Sequence, residues 1–197
     1  MPYAPGGSGL KLLGGISAGL LTLLFAAATV LALVGYSQLN RIYANPPSAL
    51  VLQSNPQLIA DGERFGQSCV GCHSSNGQLP MTGQKFFGAE GGVSPVGTLW
   101  AANLTPAHLG EWSDGELIRA IREGIGRDGR SLLIMPSAAF RNMSDADVLA
   151  LVAYLRAQPA AGAASPPRQI NVIGAILFAT ILPPELLSAQ EPIAAPV

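Results

Sequence analysis

The sequence predicts an all-α protein in three parts: an N-terminal helix long enough to cross a membrane, a compact helical unit, and a short apolar tail. Three observations lead there. Only 12% of the 197 residues are charged while 49% are hydrophobic, and mean hydropathy is +0.35. A soluble domain carries roughly 25% charge, so part of this chain belongs in or on a membrane. The stretch from Leu10 to Tyr36 is apolar apart from Lys11. Between two proline-rich segments lie three apolar stripes at helical spacing. The same composition excludes intrinsic disorder. Lys plus Arg is 11 against 12 for Asp plus Glu, a net charge of −1, so there is no basic excess to neutralise phosphates and nucleic acid is excluded as a partner.

Residues 1–36 read as the anchor, since about 20 apolar residues cross a bilayer as a helix. A cleavable leader has an apolar region of about 7–15 residues and a small-residue cleavage site. This run is longer and ends in Val34-Gly35-Tyr36-Ser37-Gln38, so an uncleaved helix is expected. Lys11 on one side and Arg41 on the other leave its orientation open. Gly15-x-x-x-Gly19 could admit a neighbouring helix, although two glycines by chance explain it equally well.

Residues 37–56 form a linker, because the prolines of Asn45-Pro46-Pro47-Ser48 deny helix. The compact unit covers 57–158. Its first helix, from about 57 to 70, carries Leu58, Gly62, Phe65 and Cys69 on one stripe. Ser113-Asp114-Gly115-Glu116 is a capping box that opens a second helix, with Leu117, Ala120 and Ile121 on one face. Ser144-Asp145-Ala146-Asp147 caps a third, with Val148, Leu151, Val152 and Leu155 inward. Segments 74–112 and 125–143 are rich in Gly and Pro and hold no sustained period. That is too much loop for a self-sufficient core, so something other than side chains must fill the middle.

A second linker, 159–169, precedes an apolar segment, 170–187. Its run from Ile170 to Leu182 is thirteen residues and is stopped by Pro183-Pro184. That is too short to cross a bilayer, so an interfacial or docking helix is expected. Arg168 is the one nearby cation, which favours docking on protein over lipid. Residues 188–197 complete the tail.

The chemistry is carried by Cys69-Val70-Gly71-Cys72-His73, the C-x-x-C-H haem-attachment pattern. On a helical turn these positions share a face, so both thiols and the imidazole can address one flat ligand. The thiols of Cys69 and Cys72 add to the two vinyl groups, and His73 supplies the proximal nitrogen to iron. One covalently bound haem c then provides the missing core. A thioredoxin-like C-x-x-C needs a βαβ context, which is not visible. A zinc site would count Cys69, Cys72, His73 and His108, with adjacent residues bent onto one tetrahedral ion.

The distal ligand lies downstream. Met135, in the apolar loop Leu132-Leu133-Ile134-Met135-Pro136, is preferred, because Pro136 fixes the chain direction after it. Met143, His108 and an open site are the alternatives, and Met81 follows His73 too closely to reach the far haem face. Trp100, Arg127 and Arg130 lie in loops that could serve the propionates, or the arginines are solvated turn residues. Tyr154 and Phe140 read as haem-packing core. Glu63, Asp114 and Glu116 read as caps or surface charges.

The C-x-x-C-H motif is joined by Ala102-Asn103-Leu104-Thr105-Pro106, Trp112 to Leu117, Arg119 to Gly124, Asp128-Gly129-Arg130, Met135-Pro136, and Met143 to Arg156. Together these strings resemble one domain of the bacterial class I cytochromes c, over roughly 60–158. More narrowly they are similar to the membrane-bound cytochrome subunits of periplasmic dehydrogenases. Those subunits usually carry several such domains, whereas this chain has one C-x-x-C-H. A single anchored haem is also similar to the monohaem subunit of quinol-oxidising assemblies such as alternative complex III.

The resemblance implies a class I cytochrome c fold with His73 and Met135 as axial ligands. It implies one-electron transfer within a respiratory or photosynthetic complex, from a quinol-oxidising or dehydrogenase partner to a soluble carrier or oxidase. Two filled axial positions leave no site for substrate at iron, which argues against an enzyme. The rival readings are a haem enzyme or gas sensor with an open distal site, and a structural haem-containing subunit. Because haem is attached to such proteins outside the cytoplasmic membrane, the segment before Leu10 is expected in the cytoplasm and the haem domain on the periplasmic side. Expected partners are the membrane, other subunits of the complex, and a redox donor and acceptor. Removing 169–197 is expected to leave the haem spectrum unchanged.

Overall fold

The computed structural model describes residues 7–87, 94–182 and 187–193. Helix α1 runs Gly7–Leu39. Among the described residues it is the one helix long and apolar enough, by length and composition, to cross a membrane. From Lys11 to Val30 it touches nothing that buries it, and burial begins only with Ala32, Gly35 and Leu39. The chain then runs extended to α2, as the paired prolines require, yet it is not a free linker. Ile42 bridges Arg130, the Tyr43 N–H donates to the Gly129 carbonyl at 2.9 Å, and that of Ser48 donates to Gly115 at 3.1 Å.

Helix α2 (Pro56–His73) starts at Asn55, whose side chain accepts from the Leu58 N–H at 2.9 Å. Proline at the first helical position costs no hydrogen bond there. The helix reaches three residues past the sequence-based end, so the whole C-x-x-C-H motif is helical. Its buried face is Gly62, Gly66, Cys69 and Val70, with Leu58 and Phe65 half-buried. A Cβ at Gly62 would collide with the Ala150 carbonyl, and one at Gly66 with the Tyr154 ring. These two glycines, one turn apart, let α2 lie directly on α6 (Asp145–Ala157).

Between them come α3 (Pro106–Leu109), α4 (Asp114–Glu123) and α5 (Ser137–Phe140). The Ser113–Glu116 capping box of α4 forms in both directions. The helix ends at Gly124 with φ +67, where a Cβ would strike the Ser188 carbonyl. On α6, Ser144 caps the Asp147 N–H, and Val148, Leu151, Val152 and Leu155 face inward as their spacing predicts. The main core gathers Cys69, Val70, Met81, Leu117, Ile121, Val148, Leu151 and Leu155.

The architecture is mostly helical but not all-α. Strands β1 (Gln84–Phe87), β2 (Gly97–Ala101) and β3 (Gln169–Ile170) form an antiparallel sheet in the order β1-β2-β3. Lys85 pairs with Trp100, and Thr98 pairs with Gln169 across the chain. Strands this short show no countable period, and β3 becomes a strand only by meeting β2, so periodicity held no sign of them.

Helix α7 (Val172–Thr180) is shorter than the 170–187 segment expected and is capped by Asn171. It packs one face on this chain's own α1, a contact between distant segments that the sequence did not suggest. Gly35 of α1 has no room for a Cβ against the Ala175 backbone, and Ala175 and Phe178 share a second apolar cluster with Leu39, Leu99 and Leu133. Residues 183–186 and 194–197, within the expected tail, lie outside the described residues. Residues 187–193 strap back across the end of α4: the Gln190 N–H donates to the Glu123 carbonyl at 2.8 Å, and that of Ile193 to its carboxylate at 3.1 Å.

Candidate haem site

The motif sits on the last turn of α2, and three of its residues have distinct surroundings. Cys69 is buried in the main core, while Cys72 is exposed. Burial pushes the Cys69 thiol above its usual pKa, partly offset by a hydrogen bond with Ser68. His73 is half-buried, and its Nδ1 lies 2.7 Å from the Ala102 carbonyl. A carbonyl oxygen can only accept, so Nδ1 carries the proton and Nε2 keeps its lone pair. That is the arrangement in which a histidine binds metal through Nε2, with its ring orientation fixed by an outer partner. Burial also holds the His73 pKa below its usual value, so the imidazole stays neutral and available as a ligand.

The positioning of Ala102 comes from the sheet and the loop after it. Gln84 Nε2 donates to the Gly71 and Cys72 carbonyls at 3.2 and 3.0 Å, closing the C-terminal end of α2 against β1. The Gly83 N–H donates to the His73 carbonyl at 2.8 Å. Asn103, fully buried, donates to the Ala161 and Ala163 carbonyls at 2.7 and 3.0 Å and accepts from the Thr105 N–H. The Asn103-Leu104-Thr105-Pro106 string thus ties the segment behind His73 to the chain at Ala161 and Ala163, beyond α6.

Met135 lies in the loop between α4 and α5 and is half-buried. Ile134 before it takes φ +67, which is strained for a β-branched residue. The loop is held from two sides: the Met135 carbonyl accepts from the Ser137 N–H at 2.8 Å and from Ser188 Oγ at 2.6 Å. Ser188 belongs to the C-terminal strap, so the tail and the Met135 loop are coupled. The expectation that removing 169–197 leaves the haem spectrum unchanged was made without this contact, which such a deletion would remove.

The alternative ligands have other surroundings. His108 Nδ1 accepts the Ser165 N–H at 3.2 Å, and its ring lies 6.2 Å from that of Trp112. Met81 is fully buried in the main core, and Met143 packs at its margin. Among the described residues no group of three or more His, Cys, Asp and Glu side chains is gathered as a metal site, so the four donors counted for zinc are not brought together. The sheet is antiparallel, unlike the βαβ unit that a thioredoxin-type motif needs.

Of the residues considered for the propionates, Trp100 is half-buried on β2 with Lys85 Nζ 5.5 Å from its ring. Arg127 is exposed and meets Glu111 at 3.2 Å and Glu116 at 3.8 Å; Arg130 is exposed and 3.9 Å from Asp128. Two other arginines matter more to the architecture, and sequence reasoning passed over both. Arg122, 2% exposed, bonds Asp145 at 2.7 Å and the Met143 carbonyl at 2.7 Å. Arg119, 6% exposed, donates to the Asn45 and Gly126 carbonyls at 3.0 and 2.6 Å. They bind the two ends of the Met135 segment to α4. Only their place on the inner side of a charged-looking helix could have flagged them.

The donor set fits a covalently attached haem: two thiols and a correctly oriented neutral imidazole on one helical turn, beside an apolar core. The family model for cytochrome c matches residues 59–159. The chain is 38% identical, over 63% of its length, to one of the subunits of nicotinate dehydrogenase from Pseudomonas putida, covering 10% of that protein. It is 34% identical over 52% of its length to the gluconate 2-dehydrogenase cytochrome c subunit of Pantoea cypripedii, covering 23% of it. It is 30% identical over 66% of its length to the fructose dehydrogenase cytochrome subunit of Gluconobacter japonicus, covering 26% of it. The chain therefore spans about a quarter or less of these curated relatives. Motif, outer-partner geometry and family match converge on the region from α2 to α6, and the chain belongs to the cytochrome c family.

Proposed function

We propose that this chain is a membrane-anchored monohaem c-type cytochrome that passes single electrons between a membrane-associated oxidising partner and a soluble carrier or oxidase. The donor side is a dehydrogenase or quinol-oxidising complex, a reading supported by the dehydrogenase names of the relatives. The observation that carries it is the His73 imidazole, held by the Ala102 carbonyl with Nε2 free. Cys69 and Cys72 would hold one haem c, and His73 and Met135 would ligate its iron. The haem supplies a one-electron iron couple. The chain's part is to fix both ligands and to surround the group with apolar side chains, which limits solvent reorganisation. Trp100, Arg127 and Arg130 are proposed as propionate donors, the two arginines also forming surface ion pairs. The anchor is α1, and the haem domain lies on the periplasmic side, where haem is attached to proteins of this kind.

The test is spectroscopic. Full-length haem-loaded protein in detergent should be low-spin in both oxidation states, show the sulfur-to-iron band at the red edge of the ferric spectrum, and not bind carbon monoxide when reduced. Met135→Ala should abolish that band and create carbon monoxide binding. Ready binding by the unsubstituted protein would instead support an open-site enzyme or sensor.

A further inference from the structure

Lys11 to Val30 are twenty consecutive exposed residues of α1. At 1.5 Å per residue they form about 30 Å of bare helix, the thickness of a bilayer's hydrocarbon core. Contact with the rest of the chain begins immediately beyond, at Ala32, Gly35 and Leu39, and α7 sits at that level. Gly35 lies against the Ala175 backbone, and Tyr36 Oη donates to the Ile170 carbonyl at 3.4 Å. On the buried side of α7, Ala175 meets α1, Gly174 abuts the Val96 carbonyl, and Phe178 enters the cluster with Leu39, Leu99 and Leu133. Val172, Ile173 and Ile181 are left 51%, 52% and 72% exposed, and Leu33 and Val34, in the turn of α1 that includes the buried Ala32 and Gly35, are 65% and 42% exposed.

The polar side chains of α7 and its cap are satisfied within the chain, as contact with lipid requires. Asn171 accepts from the Gly174 N–H and donates to the Ser94 and Pro95 carbonyls. Thr180 Oγ1 donates to the Ile176 carbonyl at 2.7 Å. No charged residue occurs from Val172 to Thr180.

Resting on the reading that α1 spans the membrane, we propose that Val172, Ile173 and Ile181 of α7, with Leu33 and Val34 of α1, form a lipid-contacting shelf in the headgroup–acyl boundary. The occupant is lipid because the shelf continues the bare surface of α1 at the height where that helix leaves the hydrocarbon. Since α7 is also tied to β2 and to the Met135 side through Leu99 and Leu133, the shelf fixes the attitude of the haem domain to the bilayer. The domain is therefore seated on the membrane instead of swinging from a tether.

The experiment is site-specific photocrosslinking of the full-length, haem-loaded chain in phosphatidylcholine–phosphatidylglycerol vesicles. A benzophenone amino acid is placed singly at Leu24, Ile173 or Ile181, all of which are exposed, and an unchanged haem spectrum certifies the fold. Lipid adducts at Ile173 and Ile181 in yields comparable to Leu24 are expected. Adducts at Leu24 with none at Ile173 or Ile181 overturn the shelf and leave the anchor standing. Adducts of Ile173 or Ile181 to a second copy of the chain, in place of lipid, also overturn it. Absence of lipid adducts at Leu24 overturns the anchor reading itself, and the shelf with it.

Discussion

His108 accepts the Ser165 N–H through Nδ1, a bond available only to the neutral ring. Burial lowers its pKa. The unfolded chain therefore takes up this proton more readily than the folded one. The stability that His108 contributes is complete above the unfolded value, about 6.5, and is lost as pH falls through it toward the folded value. His108→Gln, with an amide oxygen in place of Nδ1, should flatten this part of the pH dependence. Thermal unfolding midpoints of the two haem-loaded proteins, compared across about pH 7 to 5, would check it; parallel curves would show that His108 does not titrate on folding. With His73 on iron as proposed, the other histidine serves as a pin between α3 and the segment after α6.

Helices α2 and α6 can touch because Gly62 and Gly66 lack side chains where the Ala150 carbonyl and the Tyr154 ring arrive. Gly62→Ala must push α6 away, since the obstacle is backbone. Overpacking of this kind costs about 1–3 kcal/mol, which for a domain of roughly 100 residues lowers the melting midpoint by several degrees per kcal/mol. Calorimetry of the haem-loaded variant measures it, and an unchanged midpoint would mean that the helices are not in contact there. The C-terminal strap acts on a different element. Ser188 Oγ donates to the Met135 carbonyl at 2.6 Å, and Ser188→Ala should cost about 1 kcal/mol. Its specific signature is loss of the red-edge methionine band at a lower denaturant concentration than in the unsubstituted protein, ahead of the loss of helical circular dichroism. Coincident loss of both signals in both proteins would limit Ser188 to a global role.

At the scale of the whole molecule, the segment between α1 and α2 is pinned to the domain. Asn45 Nδ2 donates to Glu123 Oε2 at 2.6 Å and to the Gln190 carbonyl at 3.1 Å, while its own carbonyl accepts from Arg119. Arg168 donates to the Ser131 carbonyl at 2.6 Å and to the Leu39 carbonyl, and its burial lowers its pKa. One side chain thereby joins the last residue of α1, the start of the Met135 loop and the segment before α7. Residues 40–55 should consequently resist a broad-specificity protease in the folded protein as well as α6 does. Asn45→Ala should open them to cleavage, because it leaves a buried carboxylate short of a donor. Rapid cleavage at 40–55 in the unsubstituted protein would mean that the haem domain swings on a free tether.

Much of the local structure was legible in the sequence, although the single-turn helices α3 and α5 were read as loop. The C-x-x-C-H turn, the Ser113 and Ser144 caps and the inward face of α6 are set by residues three or four apart, and the length of α1 by a run of apolar letters. The abundance of loop also pointed to a non-protein group in the core. The remainder was settled by tertiary contacts, because the partners are far apart in the chain. Gln169 is a strand residue because it meets Thr98, and α7 turns one face to Gly35 and leaves the other bare. The orientation of His73 is set by the Ala102 carbonyl, and the Met135 loop is held by Ser188. The periodicity of one segment cannot encode such contacts. They exist only after the chain has paid the entropy of bringing distant segments together.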